Sequence, residues 1–148
     1  MRDHLRITVI TTLLVVAVAA TDLATKLASV AITHHGGMGL IRTVHNAGFS
    51  GGFFGAPAPV MVTLAVIGIG LIGWWTLRLA YQGALAVWVP GVLLGGALGN
   101  LVDRMASGTV HDFIVLPFAT ANVADFAVLG GLIGYLATRQ HLRVTERR

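Results

Sequence analysis

The chain has 148 residues, enough for a single domain spanning 1–148. Hydrophobic residues make up 55% and charged residues only 11%, with a mean hydropathy of +0.81, so a water-facing surface could not be covered with charge; a soluble enzyme, a disordered tail and a nucleic-acid module are excluded. The net charge of +4 and pI near 10.7 do not point back to nucleic acid, because the cations sit at the ends of apolar runs, and the lack of cysteine removes disulfides, thiolate metal sites, a cysteine nucleophile and lipidated cysteine.

Four apolar runs follow in order. Roughly 20 helical residues cross a ~30 Å hydrocarbon core. The first run extends from residue 7 to about 32 and is interrupted by Asp22 and Lys26. Arg2, Arg6 and the Ala17-Val18-Ala19 sequence also fit a cleaved signal peptide, but the apolar character resumes past Lys26 and favours a full span. A glycine-rich segment, 33–57, comes next; within it residues 40–44 alternate weakly, as a short strand would. The second run, 59–80, is long enough to span, and residues 81–83 form a tight turn. The third run, 84–102, carries Gly91, Gly95 and Gly99 four residues apart, which predicts close helix packing. In the segment 105–121, residues 110–118 are mostly apolar but too short to span, as expected of a strand or an interfacial piece. The fourth run, 123–137, is short unless it starts near Asn122 or continues past Arg139. The expected fold is an all-α membrane protein: four transmembrane helices with a small outer-face β/loop unit.

Charge sets the expected orientation. Arg2, Arg6, Arg78, Arg139, Arg143, Arg147 and Arg148 fall at the two termini and the turn between spans 2 and 3, which four spans place on one side. The positive-inside rule makes that side cytoplasmic. The outer side holds Lys26, Arg42 and Arg104 with four acids: Asp22, Asp103, Asp112 and Asp125. Acids in apolar helix ends point to a functional site.

Local partners sort those acids. Asp22 and Lys26, four apart, share a helical face; they read equally as a structural ion pair or as part of a site. Asp103 with Arg104 reads as scaffold. Asp112 and Asp125 have no lysine or arginine within four residues, and each sits in apolar sequence. Two such acids on one membrane face invite a shared site in which one proton is divided between two carboxyls, the arrangement of an aspartic protease dyad. The charged member would take a proton from water, and the other would serve the carbonyl oxygen and the leaving amine. Asn46, Asn100 and Asn122 could hold a substrate backbone or orient a carboxylate. Asn122 also suits a helix N-cap, and Asn46 a turn beside Gly48.

These residues together resemble a family. Asp22-x-x-Thr25-Lys26, Asn46-x-Gly48, Gly95-Gly96-Ala97-Leu98-Gly99-Asn100-Leu101-Val102-Asp103-Arg104, Gly108-x-Val110-x-Asp112-Phe113 and Asn122-Val123-Ala124-Asp125 occur in the order of the lipoprotein signal peptidase (signal peptidase II) family. The resemblance covers most of the chain. It implies a bacterial aspartic endopeptidase of the cytoplasmic membrane, multi-pass, with cytoplasmic termini and an outward-facing site. Such enzymes remove the signal peptide of a prolipoprotein before a diacylglyceryl-modified cysteine. The implied catalytic pair is Asp112 and Asp125; the implied substrate-binding or supporting positions are Asp22, Lys26, Asn46, Gly48, Asn100, Asp103, Arg104, Asn122 and Ala124. The resemblance further implies an outer β-cradle, lipid-modified prolipoproteins and membrane lipids as partners, and no nucleic acid. No cofactor and no metal are expected, and a monomer is. The sequence departs from the family pattern at Phe49-Ser50-Gly51-Gly52-Phe53, in the short stretch from Lys26 to Asn46, and at Phe126, where a small hydroxyl residue is usual.

Other readings are weaker. Gly48-Phe49-Ser50-Gly51 matches the Gly-x-Ser-Gly of rhomboid-like serine proteases, with His45 or His111 as base. His34, His35, His45 and His111 share the outer face, but their spacing is irregular and no H-E-x-x-H is present. A proton-coupled transporter would also place acids in spans, and a catalytically weak structural homologue is the blandest alternative.

Overall fold

The computed structural model describes residues 2–34, 39–49 and 54–145. Within them lie four helices, α1 (Arg2–His34), α2 (Ala58–Tyr81), α3 (Trp88–Ser107) and α4 (Val123–Thr145). Five short strands join them: β1 (Ile41–Asn46), β2 (Gly48–Phe49), β3 (Phe54–Gly55), β4 (Val110–Val115) and β5 (Thr120–Ala121).

Residues 2–34 contain neither glycine nor proline, and α1 runs unbroken through residues 17–19 and the Asp22–Lys26 patch. Its hydroxyls turn inward on the backbone. Thr8, Thr21, Thr25 and Thr33 each donate to the carbonyl four residues back, at 2.8–2.9 Å, as hydroxyls do where water is scarce. Pro57 caps α2 and Pro59 sits in its first turn, where a missing N–H costs nothing. α2 stops at Gly83, whose φ of 70° lets the Ala84 amide reach the Leu79 carbonyl at 2.9 Å and the Gly83 amide reach Ala80 at 3.0 Å.

α3 lies about one turn further along the chain than the apolar run 84–102 indicates. Pro90 accounts for its start: the ring would strike the carbonyl of a helical Ala86, so Pro90 is confined to the first turn. Gly108, at φ 76°, accounts for its end, its amide bonding the Arg104 carbonyl at 3.0 Å. Asp103 and Arg104 therefore lie within the final turns of α3. α4 does continue past Arg139.

The segment around residues 40–44 and the segment 110–118 find each other. β1 and β4 pair antiparallel, with Val44 opposite Asp112, His45 opposite His111 and Asn46 opposite Val110, and β5 completes a three-stranded sheet. β2 and β3 form a separate two-residue pair. The expected β unit is thus a small antiparallel sheet against one end of the helices.

Burial is inverted relative to a water-soluble domain. Asp22, Lys26, Ser29, Arg104, Asp112 and Asn122 are buried, while Leu13, Leu27, Leu71, Trp74 and Ile133 face outward. α1 and α2 are each long and apolar enough to cross a membrane.

One seam sets the helix arrangement. α1 and α3 run parallel, with Leu14 against Gly91, Val18 against Gly95 and Asp22 against Gly99. A Cβ built on Gly91 or Gly95 would lie 2.7 Å from the Cβ of Leu14 or Val18. The opposite side of α3 presents Gly96 to the backbone carbonyl of Ala124 in α4. Glycine is required here for close approach, as the four-residue spacing predicts. Gly95→Ala is therefore expected to lower stability by about 1–3 kcal/mol through overpacking. Gly70→Ala, where nothing lies within 4 Å, should leave it unchanged or slightly raised. Thermal unfolding midpoints of the two variants in detergent check this.

Candidate active site

The site gathers where α1, α3, α4 and the sheet converge. Asp112 projects from β4 and is buried; Asp125 occupies the first turn of α4. Asn122 stands between them as the N-cap of α4. Its Oδ1 accepts the Asp125 amide at 2.9 Å, and its own amide donates to Asp125 Oδ2 at 3.1 Å, a reciprocal capping box. With Oδ1 so committed, both Nδ2 protons point the other way. One reaches Asp112 Oδ1 at 2.8 Å and the other Asn100 Oδ1 at 2.9 Å. Asn100 Nδ2 donates in turn to Asp125 Oδ1 at 2.8 Å. Cap and positioning roles thus coexist in Asn122, and one residue bonds both carboxyls, Asp112 through its side chain and Asp125 through its backbone amide.

The other oxygen of Asp112 is held by two donors, Asn46 Nδ2 at 3.0 Å and Thr120 Oγ1 at 2.9 Å. Asn46 can only donate there, because its Oδ1 accepts the Gly48 amide at 2.9 Å and closes the turn between β1 and β2. Arg104 Nη2 fixes the same turn from α3 by donating to the Gly48 carbonyl at 3.1 Å.

Behind this layer lies a buried ionic cluster. Lys26 Nζ is 2.5 Å from Asp22 Oδ2, 2.7 Å from Asp103 Oδ2 and 3.3 Å from Asn100 Oδ1. The pairing is wider than sequence spacing indicates: Asp22 and Lys26 do not neutralise only each other, and Asp103 turns to Lys26. The second oxygen of Asp22 accepts the Ala124 amide at 2.9 Å, placing a carboxylate on the N-terminus of α4. Ala124 is fully buried against α3, where a larger residue would have no room. Asp103 Oδ2 also accepts the His111 amide at 3.0 Å and so anchors β4.

Asn46, Gly48, Asn100, Arg104, Asp112 and Asp125 line one end of a cleft of about 510 Å³. Its remaining wall is apolar, built by Leu64, Gly68 and Ile72 of α2 and by Leu129 and Leu132 of α4. Acids and amides at the end of an apolar cleft suit an extended, largely apolar substrate with one polar bond to be attacked.

All eleven residues singled out in the sequence meet in this one region. Two further groups carry no sequence signal. Thr120 reaches Asp112 only because the turn 116–119 doubles the chain back, and Ser29 Oγ lies 3.0 Å from His111 Nε2. The Ser29 proton goes to the Lys26 carbonyl at 2.7 Å, so His111 donates. His111 is therefore bound into the fold, with the His45 ring 5.7 Å away. Among the described residues no group of three or more His, Asp or Glu side chains is placed to hold a metal ion. Ser50 and His35, which the serine and metal readings invoke, lie outside the described residues, as does the side chain of His34.

The family described as signal peptidase (SPase) II matches residues 14–139. The chain belongs to the signal peptidase II family. A lipoprotein signal peptidase of Nitrobacter hamburgensis is 32% identical over 146 residues, covering 83% of this chain and 88% of that protein. Another, of Methylorubrum extorquens, is 41% identical over 104 residues, covering 63% and 58%. The fold is similar to that of a bacterial membrane enzyme solved by the in meso method, with a TM-score of 0.72 at 23% identity over 93% of this chain and 90% of that one. Signal peptidase II membership makes this a protease-family chain of the membrane.

Two measurements probe the site's supports. Lys26→Met strands the buried Asp22 carboxylate and the part-buried Asp103 carboxylate, and stability should fall by about 3–5 kcal/mol, read as a large drop in the detergent unfolding midpoint. Burial, and next the neighbouring His45, lower the His111 pKa, with Lys26 adding to this and Asp103 and Asp112 opposing it. The unfolded chain then takes up the proton first as pH falls below about 6.5, so stability declines from there until the folded imidazole itself titrates. His111→Gln should flatten that acid decline in unfolding midpoints measured between about pH 7.5 and 5.

Proposed function

We propose that the chain is an aspartic endopeptidase of the bacterial cytoplasmic membrane that removes the signal peptide from diacylglyceryl-modified prolipoproteins. The observation that carries this reading is the single residue Asn122, which donates to the Asp112 carboxyl through its side chain and to the Asp125 carboxyl through its backbone amide, at the polar end of an apolar cleft. The relatives named above, lipoprotein signal peptidases, support the substrate class.

In this reading α1 to α4 all span the bilayer. Parallel α1 and α3, and the short turn from α2 to α3, fit that path. Arg78 near the end of α2, Arg2 and Arg6 at the start of α1 and Arg139 late in α4 face the cytoplasm, and the sheet forms a cradle on the outer face. The chain acts as a monomer on prolipoproteins drawn from surrounding lipid.

The chemistry needs only the two carboxyls and water. The charged member of the pair takes a proton from a water in the cleft, and the oxygen left behind attacks the scissile carbonyl. The protonated member hydrogen-bonds the carbonyl oxygen and then gives its proton to the departing amine. The pair works as a unit that shares one proton. Asn122 and Asn100 hold both carboxyls in place without neutralising them. The apolar wall from α2 and α4 takes up the signal segment and its lipid.

Cleavage of a diacylglyceryl-modified prolipoprotein in detergent or liposomes, followed by gel shift, tests this. Wild type is expected to cleave, and Asp112→Asn and Asp125→Asn are each expected to lose about 10²–10⁴-fold in turnover while still unfolding in one cooperative transition. Normal turnover by either variant would refute the dyad.

A further inference from the structure

Turnover on a carboxyl dyad requires each acid to exist both charged and protonated. The neighbours of Asp112 differ in how they meet that requirement. Asn122 presents its NH2 to Oδ1, with its own oxygen spent on the Asp125 amide. Asn46 presents its NH2 to Oδ2, with its own oxygen spent on the Gly48 amide. Both amides are locked as donors, since rotating either would break a backbone bond. Each serves a carboxylate, and neither can accept a proton from a carboxyl O–H.

Thr120 is different. Its Oγ1 lies 2.9 Å from Asp112 Oδ2 and lines the same cleft. A hydroxyl donates to a carboxylate and, by rotating about its C–O bond, accepts from a protonated carboxyl. Of the three side chains bonded to Asp112, Thr120 alone can serve both states. We propose that Thr120 is a positioning residue for the proposed hydrolysis, a reversible hydrogen-bond partner that holds Asp112 in one orientation while its proton comes and goes.

This inference rests on the endopeptidase reading and extends it to a residue outside the family motifs set out above. The placement follows from the fold. The turn 116–119, closed by the Leu116 amide on the Ala119 carbonyl at 2.8 Å, folds β5 back along β4 and sets Val115 opposite Thr120.

The test compares Thr120→Val, which keeps the shape and loses the hydroxyl, with Thr120→Ser, which keeps the hydroxyl and loses the methyl. Steady-state cleavage of the diacylglyceryl-modified prolipoprotein supplies kcat and KM, and thermal unfolding in the same detergent reports the fold. Thr120→Val should lower kcat about ten- to a hundredfold, the effect of one hydrogen bond to a charged group, with KM nearly unchanged. Thr120→Ser should restore kcat to within a fewfold of wild type. If Thr120→Val does not fold, Thr120→Ala takes its place against the serine variant. Wild-type kcat in the hydroxyl-less variant, or a serine variant as slow as valine, overturns the positioning role. If the wild type cleaves and Asp112→Asn does not, that failure leaves the dyad standing; absence of cleavage by the wild type overturns both.

Discussion

The Lys26 ammonium is the fixed point of this molecule. It is the only lysine in the chain, it is buried, and its three donor directions end on Asp22, Asp103 and Asn100. A charge in apolar surroundings is tolerable only when its partners are supplied by the protein itself. Asp22 and Lys26 lie on α1, and Asn100 and Asp103 lie on α3, so satisfying one ammonium sets the sliding register of the two helices. The glycine seam makes the same demand in steric terms. Residues 14, 18, 22 and 26 of α1 meet residues 91, 95, 99 and 103 of α3 at a common interval of four. The first pairs fix the separation of the helices, and the last fixes their register with charge.

The acids at the site inherit this order. Asp22 faces Lys26 with one oxygen and the first turn of α4 with the other, so the ionic cluster also seats α4. Asp103 does likewise for β4 through the His111 amide. Asp112 and Asp125 thus ride on elements anchored to the same three charges, although neither touches Lys26. A carboxyl pair has to keep its mutual geometry while its charge changes. Neutral amides suit the layer in direct contact, because they bias a carboxyl toward its charged form less strongly than an adjacent ammonium would. The Lys26 cluster stands one step back, where it organises the backbone.

How much of this is legible in the sequence depends on distance along the chain. Asn122 with Asp125 is a local motif, and both its cap and its same-face relation to the acid can be read from a spacing of three. The glycine interval on α3 is equally local. That Asp112 and Asp125 have no lysine or arginine within four residues is read from the sequence in the same way. The pairing of Lys26 with Asp103, and of Ser29 with His111, joins residues far apart in sequence, and no spacing rule reaches them. Thr120 is hidden for another reason: a threonine in a loop has many uses, and only the hairpin formed by β4 and β5 shows which oxygen it meets. Composition alone sets the start of α3 too early. The apolar run begins at Ala84, but Pro90 governs where helical bonding can begin, and backbone sterics override hydropathy there.

The seam also explains where the molecule is open. α3 is pressed against α1 at Gly91, Gly95 and Gly99 and against α4 at Gly96, so those faces leave no room for a ligand. α2 meets α3 closely at Gly73, where Leu94 would lie 3.1 Å from an added Cβ, but Gly68 nearer its start has nothing within 4 Å of an added Cβ and lines the cleft. The cleft lies along that looser stretch, between α2 and α4, with the acids at its end. A rigid side that holds the carboxyls and a looser side that admits an apolar chain are separate physical tasks. Close packing through small residues serves the first, and the same residue type, left without a partner, serves the second. For a lipid-linked peptide the arrangement has a further consequence. Under the proposed reading, the apolar length of the cleft would take the signal segment whatever its detailed sequence, and selectivity would come from the polar end lined by Asn46, Arg104 and the two acids.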